Sequence, residues 1–401
     1  VTDQQPTILC ISTYEKGQAF MREVARLGCR VVLLTVDKLQ QADWPREALS
    51  ELITMPQDLS LEQVLNTVTY HARHRKFHRI VALDEFDLET AALLREHLRL
   101  PGMGQSLTRH FRDKLAMRVC AREAGVPVPE FSAVLNHDDM RTFMNGVPGP
   151  WLLKPRTSAS AIGIKTIHHP DQLWPILDQL GDLQSHHILE RFVPGEIFHV
   201  EGITWNGQTL FAAPYKYGQP PMQTMHEGGV FSTRALPSDS SDARNLNKIH
   251  KDLLSTLGHV QGVTHSEFIK SHADGSFYFL ETAARVGGAY IAEVVEFTSG
   301  INPWVEWARI EVAALRDEQY VLPELRQAFA GSIICLARQE TPDTSTFDAP
   351  EIVKRLSKHH HAGLILQTDS SERLDSLVQH YSARFLEEFC AVEPVPDKPT
   401  A

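Results

Sequence analysis

The sequence predicts an α/β protein: an N-terminal parallel-sheet unit followed by a larger antiparallel part rich in hairpins. Residues 7–12, TILCIS, form an apolar run, and residues 17–27 an amphipathic helix ended by Gly28. Residues 30–36, RVVLLTV, form a second apolar run. This β-α-β order with continuously apolar strands is the pattern of a parallel sheet covered on both faces. Residues 263–288 read instead as a β-hairpin, two alternating or apolar runs around the turn pair Asp274-Gly275. At 401 residues the chain also exceeds one ordinary domain.

Composition narrows the function. The net charge of −11 argues against a general nucleic-acid binder, which is usually basic. No run approaches the ~20 apolar residues of a membrane span. The five cysteines are scattered and never spaced Cys-x-x-Cys, which disfavours a disulfide framework or zinc site and suits a reducing compartment. The opening residues lack a signal-peptide pattern, so a cytoplasmic location is expected.

Along the chain, residues 61–71 predict a helix and 79–83 a strand. Asp84 and Glu85 follow that strand's carboxyl end, where ligands gather in open α/β sheets; capping of the helix from Leu88 is the other reading. Residues 109–124 predict a helix carrying Lys114. Residues 151–154 and 162–167 predict paired strands around a loop of small residues, including Ser158 and Ser160. Such a loop lets backbone N–H groups and hydroxyls approach phosphate oxygens, with Lys154 or, less favoured, Lys165 beside it. Residues 187–192 and 196–202 are strands separated by Pro194-Gly195. Residues 204–235 return through strands with an Asn206-Gly207 type I′ turn. In that return Lys216, Glu227 and Arg234 are candidate substrate contacts. Helices are expected at 240–257, 289–297, 302–315, near 351–357 and at 370–389, with strands at 331–337 and 363–367. The tail 391–401 reads as disordered.

The central hairpin carries the chemistry. Period 2 puts Val263, His265, Glu267 and Ile269 on one strand face, and Phe277, Phe279 and Glu281 on one face of the partner. A loop symmetric about Asp274-Gly275 pairs Glu267 with Thr282; an odd-length loop with a bulge pairs it with Glu281. Facing carboxylates repel unless a cation lies between them, and an all-oxygen site suits Mg²⁺. Arg285 followed by Gly287-Gly288 and a helix is a good anion site.

The run Glu267-Phe268, Phe279-Leu280-Glu281 and Arg285 resembles the metal-binding end of the ATP-grasp superfamily. The His-x-Glu-Phe and Glu-x-Ala-x-Arg-x-Gly-Gly variant looks most like its carboxylate–amine ligase branch, which includes the L-amino-acid ligases. The resemblance implies an ATP-grasp fold with these parts: an N-terminal α/β domain (1–105), a linking helix (106–125), a lid subdomain (126–193), a central metal-binding domain (194–325) and a small C-terminal α+β unit (326–390). It implies ATP held by Lys114, Lys154, Ser158 and Ser160, with Glu190, Phe192 and Val193 at the adenine and Glu196 at the ribose. It implies one or two Mg²⁺ ions (or Mn²⁺) on Glu267 and Glu281, with Arg285 and His265 as catalytic groups. His265 has a second reading, a buried histidine bonded to backbone. The family usually places asparagine where this chain has Ala283. The implied partners are a small-molecule carboxylate and an amine, with no nucleic acid or membrane and a homodimer left open. The implied reaction is ATP-driven ligation through an acylphosphate. The alternatives are a non-amino-acid carboxylate, or a nucleotide-binding regulatory protein without turnover.

Overall fold

The computed structural model describes residues 5–159, 161–222, 224 and 228–391. Among them the strands form three sheets. The first comprises β1 (Thr7–Ile11), β2 (Arg30–Val36), β3 (Leu49–Met55) and β4 (Arg79–Ala82), in the order β3-β2-β1-β4 and parallel throughout. Side-chain alternation feeds two cores. Leu9, Ile11, Val32 and Leu34 pack with Val64, Val68, Leu88 and Ala91 from the helices Leu61–Ala72 and Leu88–Leu98. Ile8, Cys10, Val31 and Leu33 pack with Phe20 and Val24 of helix Gln18–Arg26. β3 is not among the expected strands: it is one edge of the sheet, four of its seven residues are only partly buried, and it lacks the continuous apolar run that marks β1 and β2.

The segment expected as one linking helix is broken. A short helix, Gln105–Thr108, and a 3₁₀ turn precede the helix Lys114–Glu123. The break falls at Asp113, whose carboxylate accepts the N–H groups of Leu115 and Ala116 and caps the second helix.

The second sheet holds β5 (Phe131–Ala133), β6 (Trp151–Pro155), β7 (Lys165–Ile167) and β8 (His187–Arg191), antiparallel in the order β5-β8-β6-β7. It has its own core, in which Trp151, Leu153, Ile167 and Leu189 meet Met140 and Leu173 from two covering helices.

The third sheet is the frame of the molecule. It contains β9 (Gly195–Trp205), β10 (Gln208–Tyr217), β11 (Phe231–Ala235), β12 (Gly262–Ser271), β13 (Phe277–Ala283), β14 (Phe329–Leu336), β15 (Ile352–Arg355) and β16 (His361–Thr368). Their order is β13-β12-β9-β10-β11-β14-β16-β15. The strands of residues 326–390 therefore continue the central sheet. Residues near 351–357 form β15 and not the expected helix: the β-branched pair Ile352-Val353 extends along the free edge of β16. Asn206 and Gly207 both have positive φ, as a type I′ turn requires. The helix Pro303–Arg316, capped by Asn302, joins this sheet to the parallel one: Trp307 packs edge-on against Phe20, and Arg309 bonds Glu23 at 2.8 Å. No helix among the described residues is long and apolar enough to cross a membrane. The expected disordered tail, beyond Ala391, lies outside the described residues.

Entry into β9 depends on Gly195, where an added Cβ would sit 2.3 Å from the Lys270 carbonyl oxygen on β12. Gly195→Ala should therefore destabilise by about 1–3 kcal/mol, read as a lowered Tm; an unchanged Tm would contradict this close approach.

Candidate active site

The hairpin register is the bulged one. Glu267 pairs directly with Glu281, while Phe268 pairs with Phe279, so Leu280 is the extra residue. The bulge has a use, since the freed Leu280 carbonyl accepts from Arg118. Each opposed carboxylate has its own compensation. Glu281 meets the Lys114 ammonium at 2.6 Å. Glu267 accepts the Tyr217 hydroxyl at 2.9 Å, with His265 Nε2 at 3.4 Å. Burial alone would raise the Glu267 carboxyl; the hydrogen bond and charge of His265, with Tyr217, hold it below its ordinary value.

Lys114 opens its helix. Its own N–H bonds the Arg156 carbonyl at 2.9 Å, and Arg156 Nε bonds the capping Asp113 at 2.8 Å. The helix start is thus tied to the β6–β7 loop, where the Lys114 ammonium also donates to the Ser158 carbonyl at 2.7 Å. Lys154, at the end of β6, bonds Glu190 Oε1 at 2.6 Å, and Arg118 bonds Glu190 Oε2 at 2.7 Å. The Glu190 side chain is therefore a buried bridge between two cations. The Phe192 N–H is committed to the Pro150 carbonyl at 3.0 Å, which removes that donor from the expected adenine contact. Val193 is buried. Glu196 is exposed and lies 2.5 Å from Lys216 Nζ. Lys165 is exposed on β7. Ser160 and Glu227 lie outside the described residues. Arg234 pairs with Asp375 of the C-terminal helix Ser371–Glu388.

Arg285 reaches the parallel sheet. Its Nε lies 3.2 Å from Glu85 Oε2, and the other oxygen of Glu85 accepts from Arg112 at 2.9 Å. Burial would raise the Glu85 carboxyl, but the charges of Arg285 and Arg112 outweigh it and hold the group at about 2. Asp84 accepts the Phe86 N–H at 3.1 Å and so caps the 3₁₀ turn Glu85–Asp87, whereas the helix from Leu88 has no side-chain cap; Asp84 also pairs with Lys16, and Glu85 faces the arginines.

A cluster that sequence reasoning overlooked lies beside Glu267. On adjacent strands Glu267 pairs with His199, and His265 with Glu201. Glu201 Oε1 lies 2.7 Å from His199 Nδ1 and 2.5 Å from His265 Nδ1. A carboxylate only accepts, so both Nδ1 atoms carry hydrogen. His199 Nε2 meets Thr233 Oγ1 at 2.7 Å, and its ring stacks on Tyr215 and Tyr217. Burial lowers the His199 pKa, which favours the neutral ring. Burial would also lower that of His265, but the Glu201 charge and hydrogen bond lift it to about 10. The second reading of His265, a buried histidine bonded to backbone, is corrected in part: the ring is buried, but its partners are the Glu201 and Glu267 carboxylates. The period-2 spacing of His199 and Glu201, matching that of His265 and Glu267, was the available signal.

The ATP-grasp N-terminal domain family matches residues 21–102, and the ATP-grasp domain family matches residues 119–290. The chain is 25% identical over 242 residues to an L-arginine-specific L-amino acid ligase of Bacillus subtilis, covering 59% of this chain and 58% of the relative. It is 24% identical over 267 residues to an alanine–anticapsin ligase of Bacillus subtilis, covering 60% of this chain and 55% of the relative. The matched stretches thus span less than two thirds of these relatives' length. Among solved structures, an L-amino acid ligase from Bacillus licheniformis superposes with a TM-score of 0.74 at 20% identity, covering 98% of this chain and 100% of that one. An N5-carboxyaminoimidazole synthetase from Staphylococcus aureus complexed with ADP gives 0.72 at 16% identity, covering 95% and 97%. These likenesses show the fold.

The Glu85 bridge gives a signed pH dependence. Its carboxyl is depressed in the folded state, so the stability it contributes is complete above the ordinary value of 4.5 and is lost as pH falls towards about 2. The Tm gap between wild type and Glu85→Gln should be flat above about pH 5 and close on acidification. A gap unchanged down to about pH 2 would contradict the pairing.

Proposed function

The chain belongs to the ATP-grasp superfamily, and on that premise we propose that it is an ATP- and Mg²⁺-dependent carboxylate–amine ligase. In this reading it joins an amino acid to an amine or a second amino acid through an acylphosphate, with release of ADP and phosphate. The observation that carries the proposal is the opposed carboxylate pair Glu267–Glu281 with Lys114 on Glu281, while two further cations, Lys154 and Arg285, are held by other carboxylates. Lys114 contacts Glu281 directly. Lys154 reaches the hairpin through Glu190, Arg118 and the Leu280 carbonyl. Arg285 follows the second strand and faces the parallel sheet through Glu85.

The donor set suits the expected groups. Glu267 and Glu281 offer only oxygen ligands, the preference of Mg²⁺, and Mn²⁺ is also at home among carboxylates. The bound ion would neutralise phosphate charge. Lys114 and Lys154 would hold the phosphates, each exchanging a carboxylate partner for a phosphate oxygen. Arg285 would stabilise the phosphoryl group as it passes to the substrate carboxylate. Little covalent chemistry falls to the protein, so positioning and charge account for the rate. The β6–β7 loop, already tied to Lys114, would cover the site and exclude water from the acylphosphate.

One residue favours a second reading. Ala283 stands where the family usually has an asparagine metal contact, and its buried methyl group supplies no ligand atom. That favours a nucleotide-binding regulatory protein without turnover. The retained lysines, the carboxylate pair and Arg285 weigh more. A ligase for a non-amino-acid carboxylate shares the same site.

Phosphate release from ATP and Mg²⁺, screened against single and paired amino acids, tests the proposal. Release confined to particular pairs, with ADP as co-product, is expected. No release with any pair despite ATP binding would move the reading to regulation or to another carboxylate. Glu281→Ala should lower turnover by about 100-fold or more with the fold intact; full Mg²⁺-dependent activity in that variant would remove the metal assignment.

A further inference from the structure

We propose that Glu201 is a positioning residue: through His265 it fixes the Glu267 carboxylate for its metal ion, and His199 and Thr233 hold Glu201 in turn. The proposal rests on the ligase reading for its kinetic consequence alone, because metal binding can be read without turnover.

The arrangement follows from strand geometry. His199 and Glu201 lie two apart on β9, and His265 and Glu267 two apart on β12, so each pair shares a sheet face. The register sets His199 opposite Glu267 and Glu201 opposite His265. Acid and imidazole alternate both along and across the strands. The chain of contacts is continuous. Thr233 meets His199, His199 and His265 both donate to Glu201, and His265 turns its other nitrogen towards Glu267 and the Tyr217 hydroxyl, at 3.4 and 3.5 Å.

Three features point to positioning and away from mere packing. First, Glu201 is 3% exposed. A buried charged cluster is costly, and apolar side chains of similar volume would serve a packed sheet at least as well. Second, the separations of 2.7 and 2.5 Å between Glu201 Oε1 and the two Nδ1 atoms are those of hydrogen bonds. The three side chains have the ligand types of a metal site, but their donors are spaced to share protons. Third, the cluster abuts the phosphate-side loop. An added Cβ at Gly287 would lie 3.1 Å from His265 Nδ1, so that ring backs directly onto the Arg285–Gly288 turn. His265 also pairs with Ala283, the position that lacks the family's asparagine. Orientation of Glu267 from the His265 side takes on added weight where no asparagine side chain assists.

Glu201→Gln keeps the shape and one oxygen, but it removes the negative charge that draws both ring N–H groups to that oxygen. The test is Mn²⁺ binding to ADP-saturated protein, followed by electron paramagnetic resonance, with phosphate release measured in parallel. The expected result is Mn²⁺ affinity weakened about tenfold or more, and metal-free ADP affinity within about twofold of wild type. His265→Gln should give a similar loss, and the double variant should be no weaker than His265→Gln alone. Wild-type Mn²⁺ affinity in folded Glu201→Gln, or losses that multiply in the double variant, would overturn the proposal. Should Glu201→Gln not fold, Thr233→Val removes only the far hydroxyl; a smaller loss in the same direction supports the proposal and unchanged Mn²⁺ affinity overturns it. If Mn²⁺ binding behaves as stated while wild type releases no phosphate with any amino-acid pair, the amino-acid ligase reading fails and the positioning role stands.

Discussion

The structure depends on one unfavourable contact, the opposition of Glu267 and Glu281 across a β-ladder. Two carboxylates directly facing each other weaken a sheet. The neighbouring elements supply positive charge or hydrogens to them. Lys114 comes from a helix that begins where Asp113 caps it. Tyr217 comes from β10 and His265 from the same strand as Glu267. The bulge that sets the register also turns the Leu280 carbonyl to Arg118, which binds β8 through Glu190. Register, helix start and the attachment of β8 therefore meet at this pair.

The parallel sheet enters by the same logic. Its strand β4 ends at Asp84 and Glu85, and Glu85 joins Arg112 to Arg285. Two guanidiniums that would otherwise repel each other are thereby held on one carboxylate. The shared core, in which Phe20 meets Trp307, keeps the parallel sheet in place.

Much of this was legible in the sequence, and the exceptions have physical causes. The buried strands β1 and β2 announce themselves by continuous apolar runs, and Asp274-Gly275 marks the hairpin. The edge strands β3 and β15 were missed or read as helix because an edge needs only one buried face, and partial alternation mimics an amphipathic helix. Which of two registers the hairpin adopts was open, because a bulge is not encoded by any one residue. The His199–Glu201 cluster was hidden for a related reason. Each residue reads as an isolated polar side chain, and only the pairing of β9 with β12 makes them a unit. Likewise Glu190 was assigned by its place in a motif, while its side chain serves Lys154 and Arg118.

The central claim is that the facing carboxylates and their cations form one nucleotide–metal site. Calorimetric titration of the protein with ADP, in the presence and absence of Mg²⁺, tests it most directly because no substrate need be known. Saturable ADP binding that Mg²⁺ strengthens, with the Mg²⁺ effect lost in Glu267→Gln, is the predicted result. ADP binding indifferent to Mg²⁺, or no ADP binding at all, would contradict the account.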